Sequence, residues 1–452
     1  MLEDDTDLAR TTMRRVSLRL MPLIFVLFVC NYLDRTNVAI AKLQMMRDLN
    51  FSDAAYSFGV SIFFVGYAIL EVPSNLILAR VGARRWIARI MITWGLIASA
   101  MMFVRTPLHF YALRLLLGVA EAGFFPGIVY YLSLWFPATQ RAWALSRFIA
   151  AAPISSVIGS PLSGWLLGFK GWHGLAGWQW VFLLEGTPSV LVGVAVLLLL
   201  TDRPSEARWL TLEQRDWLAA RLERDEEHSA APHGLSAFRA LLHPAVLLLS
   251  VLYFFVIIPN WIYIYWAPTV IQDALHVSDA MTGVITGAIA GVATVVMLAV
   301  GASSDRTGER FYHATSCLVV VALGCVSAVV MPNAFARVAG FALVQLGVQS
   351  FFGPFWCLPS AVLRGTAAAA AIALVNSFGN LGGIVGPWGF GLLRSMTGSM
   401  TYGLLALAVV SVCAAVLCLG LRWHSEFALL VGVRAAVVRS PQLATDERVL
   451  SK

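Results

Sequence analysis

Leu20-Met21-Pro22-Leu23-Ile24-Phe25-Val26-Leu27-Phe28-Val29-Cys30-Asn31-Tyr32-Leu33-Asp34-Arg35-Thr36-Asn37-Val38-Ala39-Ile40-Ala41 decides what kind of chain this is. The run is long and apolar enough to cross a bilayer, yet it carries an acid and a guanidinium in its interior. A charge at the bilayer centre costs about 2.5–3.5 kcal/mol on insertion scales. Asp34 and Arg35 must therefore face protein or water. Either they lock two helices together as an internal ion pair, or they line a pathway for an ion and a substrate.

A second charged stretch favours the pathway. In Arg114-Leu115-Leu116-Leu117-Gly118-Val119-Ala120-Glu121 the two charges are seven positions apart. At about 100° per residue they share one helix face, separated by two turns or roughly 10 Å. Gly118 lies between them on that face and leaves space beside the backbone. Two helices that each bring one Arg and one acid into apolar surroundings form a matched set.

Composition fixes the class. Hydrophobic residues make up 59% of the 452 and charged residues only 13%, with a mean hydropathy of +0.77, which excludes an ordinary soluble protein. Twelve apolar segments long enough to span a bilayer centre near residues 28, 66, 95, 122, 155, 190, 257, 290, 321, 348, 381 and 411. Such segments exceed barrel strands, and open sheet edges are not viable in lipid, so the expected fold is an all-α polytopic bundle of twelve transmembrane helices. The acidic start, Met1 to Asp7, lacks the basic and apolar regions of a cleavable signal, so the first helix is expected to remain in the mature chain. All six cysteines fall in apolar segments and read as packing residues rather than a disulfide framework.

The net charge of +7 records orientation, not a nucleic-acid partner. Arg10, Arg14, Arg15, Arg19, Arg80, Arg84, Arg85, Arg89, Arg141, Arg147, Arg306, Arg310 and Arg364 fall on one side of the twelve segments. Lys42, Arg47, Arg105, Lys170, Arg337 and Arg394 fall on the other. By the positive-inside rule both termini are cytoplasmic, in a multi-pass protein of a bacterial-type inner membrane.

The one long polar interval, 202–243, divides a first six-helix bundle (1–201) from a second (244–421), followed by a cytoplasmic tail (422–452). Within it Thr211-x-x-Gln214 has the form of a capping box, and Trp217, Leu218, Arg221 and Leu222 suit a short surface helix; a solvated tether is the other reading. The halves repeat. Gly82 and Gly308, in similar basic loops, and Pro161 and Pro387, inside helices, are each 226 residues apart. One offset used twice points to a duplicated unit whose copies rock about a central site. The same shift carries Asp34 to Asn260, which keeps polarity but not charge.

The loop Gly301-x3-Asp305-Arg306-x-Gly308-x-Arg310, with its counterpart Arg80-x-Gly82-x-Arg84, resembles the gating loop of the major facilitator superfamily. Asn31-Tyr32-Leu33-Asp34-Arg35-x-Asn37, Arg114-x3-Gly118-x2-Glu121-Ala122-Gly123-x2-Pro126-Gly127, and Leu183-Leu184-Glu185-Gly186-x-Pro188 through Thr201-Asp202-Arg203-Pro204 resemble its anion:cation symporter family, which includes phthalate, tartrate and D-galactonate proton symporters. The resemblance covers essentially the whole chain. It implies protonation at Asp34 and Glu121, anion contact at Arg35 and Arg114, and ligand contact at Tyr32 and Tyr67. One departure is Ala79, where the superfamily usually has an Asp that serves as a gating latch.

No Gly-Lys dipeptide occurs, so a Walker loop is absent, and the eight histidines lack metal-ligand spacing. Neither ATP-driven pumping nor metal or enzyme chemistry has support; protons are the expected coupling ion and no other cofactor is implied. With Asp34 and Glu121 ionised, the two Arg charges are balanced. Protonating either acid leaves positive charge for a carboxylate ligand to engage. A unit pair at about 6 Å and an effective dielectric of about 20 is worth about 3 kcal/mol, enough for proton and anion to favour each other's binding.

Further candidates have structural readings beside them. Glu71 suits interhelix pairing. Asn376 and Asn380 share a face beside Gly379, Gly382 and Gly383, and either meet substrate or join helices. Tyr253, Trp261, Tyr263, Tyr265 and Trp266 cluster about Pro259, Asn260 and Pro268, as a ligand clasp or an interfacial belt. Gln345 and Gln349 read as packing. The expected function is import of a small organic carboxylate (aromatic acid, tartrate-like dicarboxylate or sugar acid) by a monomeric proton symporter. The alternatives are a proton-driven exporter of the same fold and a non-transporting ligand-binding membrane receptor.

Overall fold

A computed structural model describes residues 2–229, 242–359 and 365–423; Arg364 and the tail beyond Trp423 lie outside the described residues. The expected first bundle forms eight helices: α1 (Leu2–Leu49), α2 (Asp53–Val81), α3 (Ala83–Ala100), α4 (Pro107–Glu121), α5 (Phe124–Ser133), α6 (Ala138–Ile149), α7 (Ala151–Leu166) and α8 (Gly177–Leu199). The connector holds α9 (Leu212–Ser229). Then come α10 (Pro244–Leu275), α11 (Asp279–Thr307), α12 (Phe311–Val330), α13 (Ala334–Trp356), α14 (Gly365–Thr397) and α15 (Thr401–Leu421). Among the described residues eleven stretches are long and apolar enough to cross a membrane, α4 with α5 and α6 with α7 each counting as one. The twelfth expected segment, around residue 381, falls in α14.

Local chemistry sets several ends. Ser52 and Thr106 accept from the backbone N–H groups of Ala55 and His109, capping α2 and α4, and Pro107 follows as the first residue of α4. The fourth span breaks one residue past Glu121. Gly123 takes a left-handed φ of 85° there, a conformation glycine enters without a side-chain penalty, and α5 starts anew behind it.

Two compact units divide the chain. The first comprises Met1–Pro232 with Ile264–Gly291 and Pro387–Gly398; the second comprises His233–Tyr263, Val292–Gly386 and Ser399–Lys452. Inside the first, small residues bring backbones together, as association in lipid requires. A Cβ on Gly118 would strike the Phe63 carbonyl, and one on Gly66 would lie 2.5 Å from the Leu115 carbonyl. The space expected beside Gly118 is thus taken by α2, not left for a ligand. Gly95 and Gly186 do the same for α3 against α8, and Gly283 for α11 against α7 at Ser160. In the second unit α12 crosses α13 at Gly324 and Gly340, and Gly379 of α14 packs on the Tyr253 ring of α10.

An acid from outside the loop stands beside Gly82. Asp202, past the end of α8, accepts from the Arg84 backbone N–H at 2.7 Å, at the start of α3, and its carboxylate sits 3.0 Å from where a Gly82 Cβ would lie. A carboxylate there satisfies an unpaired donor and meets the positive end of the helix dipole. In the second-half loop Asp305 pairs with Arg310 at 2.7 Å, and Arg310 donates to Ser304 at 2.9 Å; Arg80 and Arg306 are exposed.

The connector forms the helix rather than the tether over Leu212–Ser229. Thr211 and Gln214 exchange side-chain to backbone hydrogen bonds of 3.3 Å in both directions, which is the capping box. Leu218 is fully buried, Gln214 accepts from Arg15 of α1 at 3.1 Å, and Asp225 accepts from the Ala138 N–H that opens α6 at 2.7 Å. Trp209 stacks on Trp135.

Gly118→Val should force α2 off α4 and cost about 1–3 kcal/mol as an overpacked contact, read as a lowered Tm of the purified protein. Asp202→Ala should cost about 1 kcal/mol as a lost cap, with a correspondingly smaller fall in Tm.

Candidate functional site

Phe63 of α2 is the platform of the site. The Arg35 guanidinium lies 5.5 Å and the Arg114 guanidinium 4.9 Å from its ring centroid, so one aromatic ring serves two cations. Arg35 is also 5.2 Å from the Tyr67 ring. It forms an ion pair with Glu121, its Nε donating to the Glu121 carboxylate at 2.6 Å, and Asn31 donates to the same oxygen at 2.7 Å. Glu121 is 1% exposed and satisfied by a guanidinium and an amide.

Arg114, also 1% exposed, has no acid within ion-pair distance among the described residues. It donates to the Tyr265 hydroxyl at 3.4 Å, and its Nε has no hydrogen-bond partner there. A buried guanidinium with spare donors is poised to receive an anion, because its planar fork matches a carboxylate.

Asp34 faces a different layer. Adjacent helix positions diverge by about 100°, so Arg35 and Asp34 cannot share a direction. Asp34 Oδ2 accepts from Trp94 Nε1 of α3 at 2.6 Å and Ser189 Oγ of α8 at 2.9 Å, and Asn37 donates to Oδ1 at 3.3 Å. Among the described residues Asp34, Arg35, Arg114 and Glu121 thus resolve into an ion pair, a cation without a carboxylate partner and an acid held by neutral donors.

The remaining expected residues are spread more widely. Tyr67 is buried beside Arg35, whereas Tyr32 is half-buried in a T-shaped contact with Phe28. Glu71 is buried one turn beyond Tyr67. Asn376 and Asn380 are half-buried in the second unit. In that unit Tyr263 stacks on Phe341; its hydroxyl and the buried Gln345 Oε1 lack hydrogen-bond partners among the described residues. No group of three His, Cys, Asp or Glu that could hold a metal ion occurs among the described residues.

A second charged cluster in the first unit gathers where α1 ends and α2 begins. Lys42, 3% exposed, holds its ammonium 3.2 Å from the Trp266 ring centroid, 4.5 Å from that of Tyr56 and 3.7 Å from Asp53. Arg394 of α14 pairs with Asp53 and with Asp273 of α10, each at 3.1 Å. Beside them Asp279 accepts from Gln44 and Gln272 at 2.6 Å and has Arg47 and Lys170 at 3.8 Å. Cations of α1 and α14 thus meet aromatic faces and acids of α2, α10 and α11.

The family model described as Major Facilitator Superfamily matches residues 24–387. The chain belongs to the major facilitator superfamily. It is therefore a multi-pass membrane transporter and not an enzyme. This facilitator is 44% identical over 417 residues to a protein of Agrobacterium vitis named "Putative tartrate transporter" (92% of this chain, 95% of the relative). It is 39% identical over 404 residues to the quinolone resistance transporter of Acinetobacter baumannii (89% and 93%). Its fold matches the xylose transporter XylE from E. coli with a TM-score of 0.69 at 14% identity, covering 88% of this chain and 97% of that one.

Sequence reasoning about this facilitator missed Phe63, Trp94 and Ser189, whose types carry no charge signal inside a span. It also counted Lys42 among loop charges, whereas the structure buries it. Asp53→Asn would leave the buried Lys42 ammonium without a carboxylate, at about 3 kcal/mol, measured as a fall in Tm. Asp273→Asn, at a position 55% exposed, should cost clearly less.

Proposed function

We propose that this facilitator imports a small organic carboxylate by proton symport across a bacterial inner membrane, with both termini cytoplasmic. The observation that carries the reading is Arg114: a buried guanidinium beside the Arg35–Glu121 pair, with its own carboxylate partner lacking among the described residues. Two guanidiniums and one carboxylate around Phe63 leave a positive charge for the substrate to neutralise. Glu121 couples the proton to that anion. While ionised it occupies Arg35; once protonated it releases Arg35, and two guanidiniums on one ring suit a ligand with two carboxylates. The gain of about 3 kcal/mol for one unit pair at roughly 6 Å and dielectric about 20 is the linkage that symport requires. Asp34 is the second protonation site. The name of the 44% identical Agrobacterium relative supports a tartrate-like dicarboxylate, with sugar acids and aromatic acids the other classes.

Proton-driven export is the second reading, supported by the name of the 39% identical quinolone resistance transporter. It uses the same charges with the opposite flux, so reversing the imposed pH gradient distinguishes the two.

A thermal-shift screen of carboxylates should find a stabilising ligand whose affinity falls about 100-fold in Arg114→Gln, the loss of charge-assisted hydrogen bonds worth about 3 kcal/mol. Unchanged affinity would remove Arg114 from the anion site. In vesicles under an inward proton gradient, Glu121→Gln should bind and exchange substrate without accumulating it uphill. Uphill accumulation equal to the parent's would remove Glu121 from the coupling role.

A further inference from the structure

Glu185, in the middle of α8, is 2% exposed and stands outside the Phe63 cluster. Its Oε1 accepts from Ser163 Oγ of α7 at 2.6 Å; its Oε2 has no hydrogen-bond partner among the described residues. One turn further along α8, Ser189 donates to Asp34, and Asn37 of α1 interacts with both acids. The groups around it come from three helices. From α1 come Asp34, Asn37 and, by way of Ser189, the Cys30 thiol; from α3 come Trp94, through Asp34, and Ser99, which backs Gly186; from α7 comes Ser163. Asp34 is the one charged group among them, and no cation joins either acid in an ion pair among the described residues.

An ionised carboxylate inside apolar protein needs donors or a counter-charge. Three of the buried acids of this half, Glu121, Asp34 and Glu185, receive unequal shares. Glu121 has a guanidinium and an amide, Asp34 has Trp94, Ser189 and Asn37, and Glu185 has the Ser163 hydroxyl and a share of Asn37. Two like charges in one apolar core oppose each other. We propose that Glu185 is a proton-carrying acid of the transport cycle, linked to Asp34, and that it holds the proton while Asp34 is ionised. The inference rests on the symport reading and extends it from the substrate layer to a hidden layer one helix deeper. Passing the proton from the Glu185 carboxyl to the Asp34 carboxylate ionises the first and neutralises the second, with no net change of charge. Asp34 adjoins Arg35 in α1, so the location of that proton bears directly on the helix that holds the substrate pair.

Two measurements test this. In reconstituted membranes at neutral pH, the infrared C=O band of protonated carboxyl groups should lose intensity in Glu185→Gln and keep it in Glu121→Gln; an unaltered band in Glu185→Gln overturns the assignment. In proteoliposomes with tartrate as probe, the slope of accumulation against the imposed pH gradient counts coupled protons. It should fall in Glu185→Gln while tartrate counterflow persists. A parent protein indifferent to the gradient would defeat the symport reading and this inference with it. A coupled parent with an unaltered Glu185→Gln slope defeats this inference alone, as does loss of counterflow in the folded variant, which marks a structural role. Should Glu185→Gln fail to assemble, Ser163→Ala retains the acid and removes its hydroxyl donor. A displaced pH profile of uptake is expected, and an unmoved one overturns the proposal.

Discussion

An arginine and a glutamate sealed against each other among membrane-spanning helices are the constraint from which the first half of this transporter follows. Neither charge could be inserted alone without a penalty comparable to the insertion energy of its helix, so α1 and α4 must meet at that point. For α2 to cover them, its backbone has to approach α4 at van der Waals distance, which only glycines at 66 and 118 permit. The approach lays Phe63 and Tyr67 across the guanidiniums. The break at Gly123, immediately after the acid, lets the span resume as a separate helix. Packing and electrostatics here are one problem with one solution.

Much of this was legible in the chain. Length and apolar content give a twelve-span bundle, because a bilayer imposes the same length on every crossing. Asp34, Arg35, Arg114 and Glu121 stand out because charge inside a span is expensive. Which charge faces which is not legible. The adjacency of Asp34 and Arg35 suggested a joint role, yet neighbouring positions on a helix diverge, and the structure gives Asp34 to Trp94 and Ser189 and Arg35 to Glu121. Glu185 carried the same signal as Asp34, a lone acid in an apolar run, but lacked a nearby cation to draw attention. The space beside Gly118 was visible as an absence of side chain; that α2 fills it depends on tertiary packing that no local pattern encodes.

Cations in this protein are held in two manners. Arg35 is matched to a carboxylate, whereas Lys42 rests mainly on indole and phenol faces, with Asp53 at the longer range of 3.7 Å. A guanidinium keeps its charge under nearly any condition, which suits a permanent anion anchor. An ammonium on an aromatic surface is attracted without directional bonding, so helix ends can slide over one another while the attraction persists. The first arrangement is directional and the second is not.

The fastening of the connector has a practical corollary. Asp202 on the α3 terminus, Gln214 beside Arg15, Trp209 on Trp135 and Asp225 on the α6 terminus make the stretch through α9 a structural member of the N-terminal body. A scissile site placed at the end of α8 would strip that body of four anchors at once. Dividing the gene so that the first fragment retains α9 would keep every one of them, and the natural seam of this polypeptide therefore lies some thirty residues later than its hydropathy suggests.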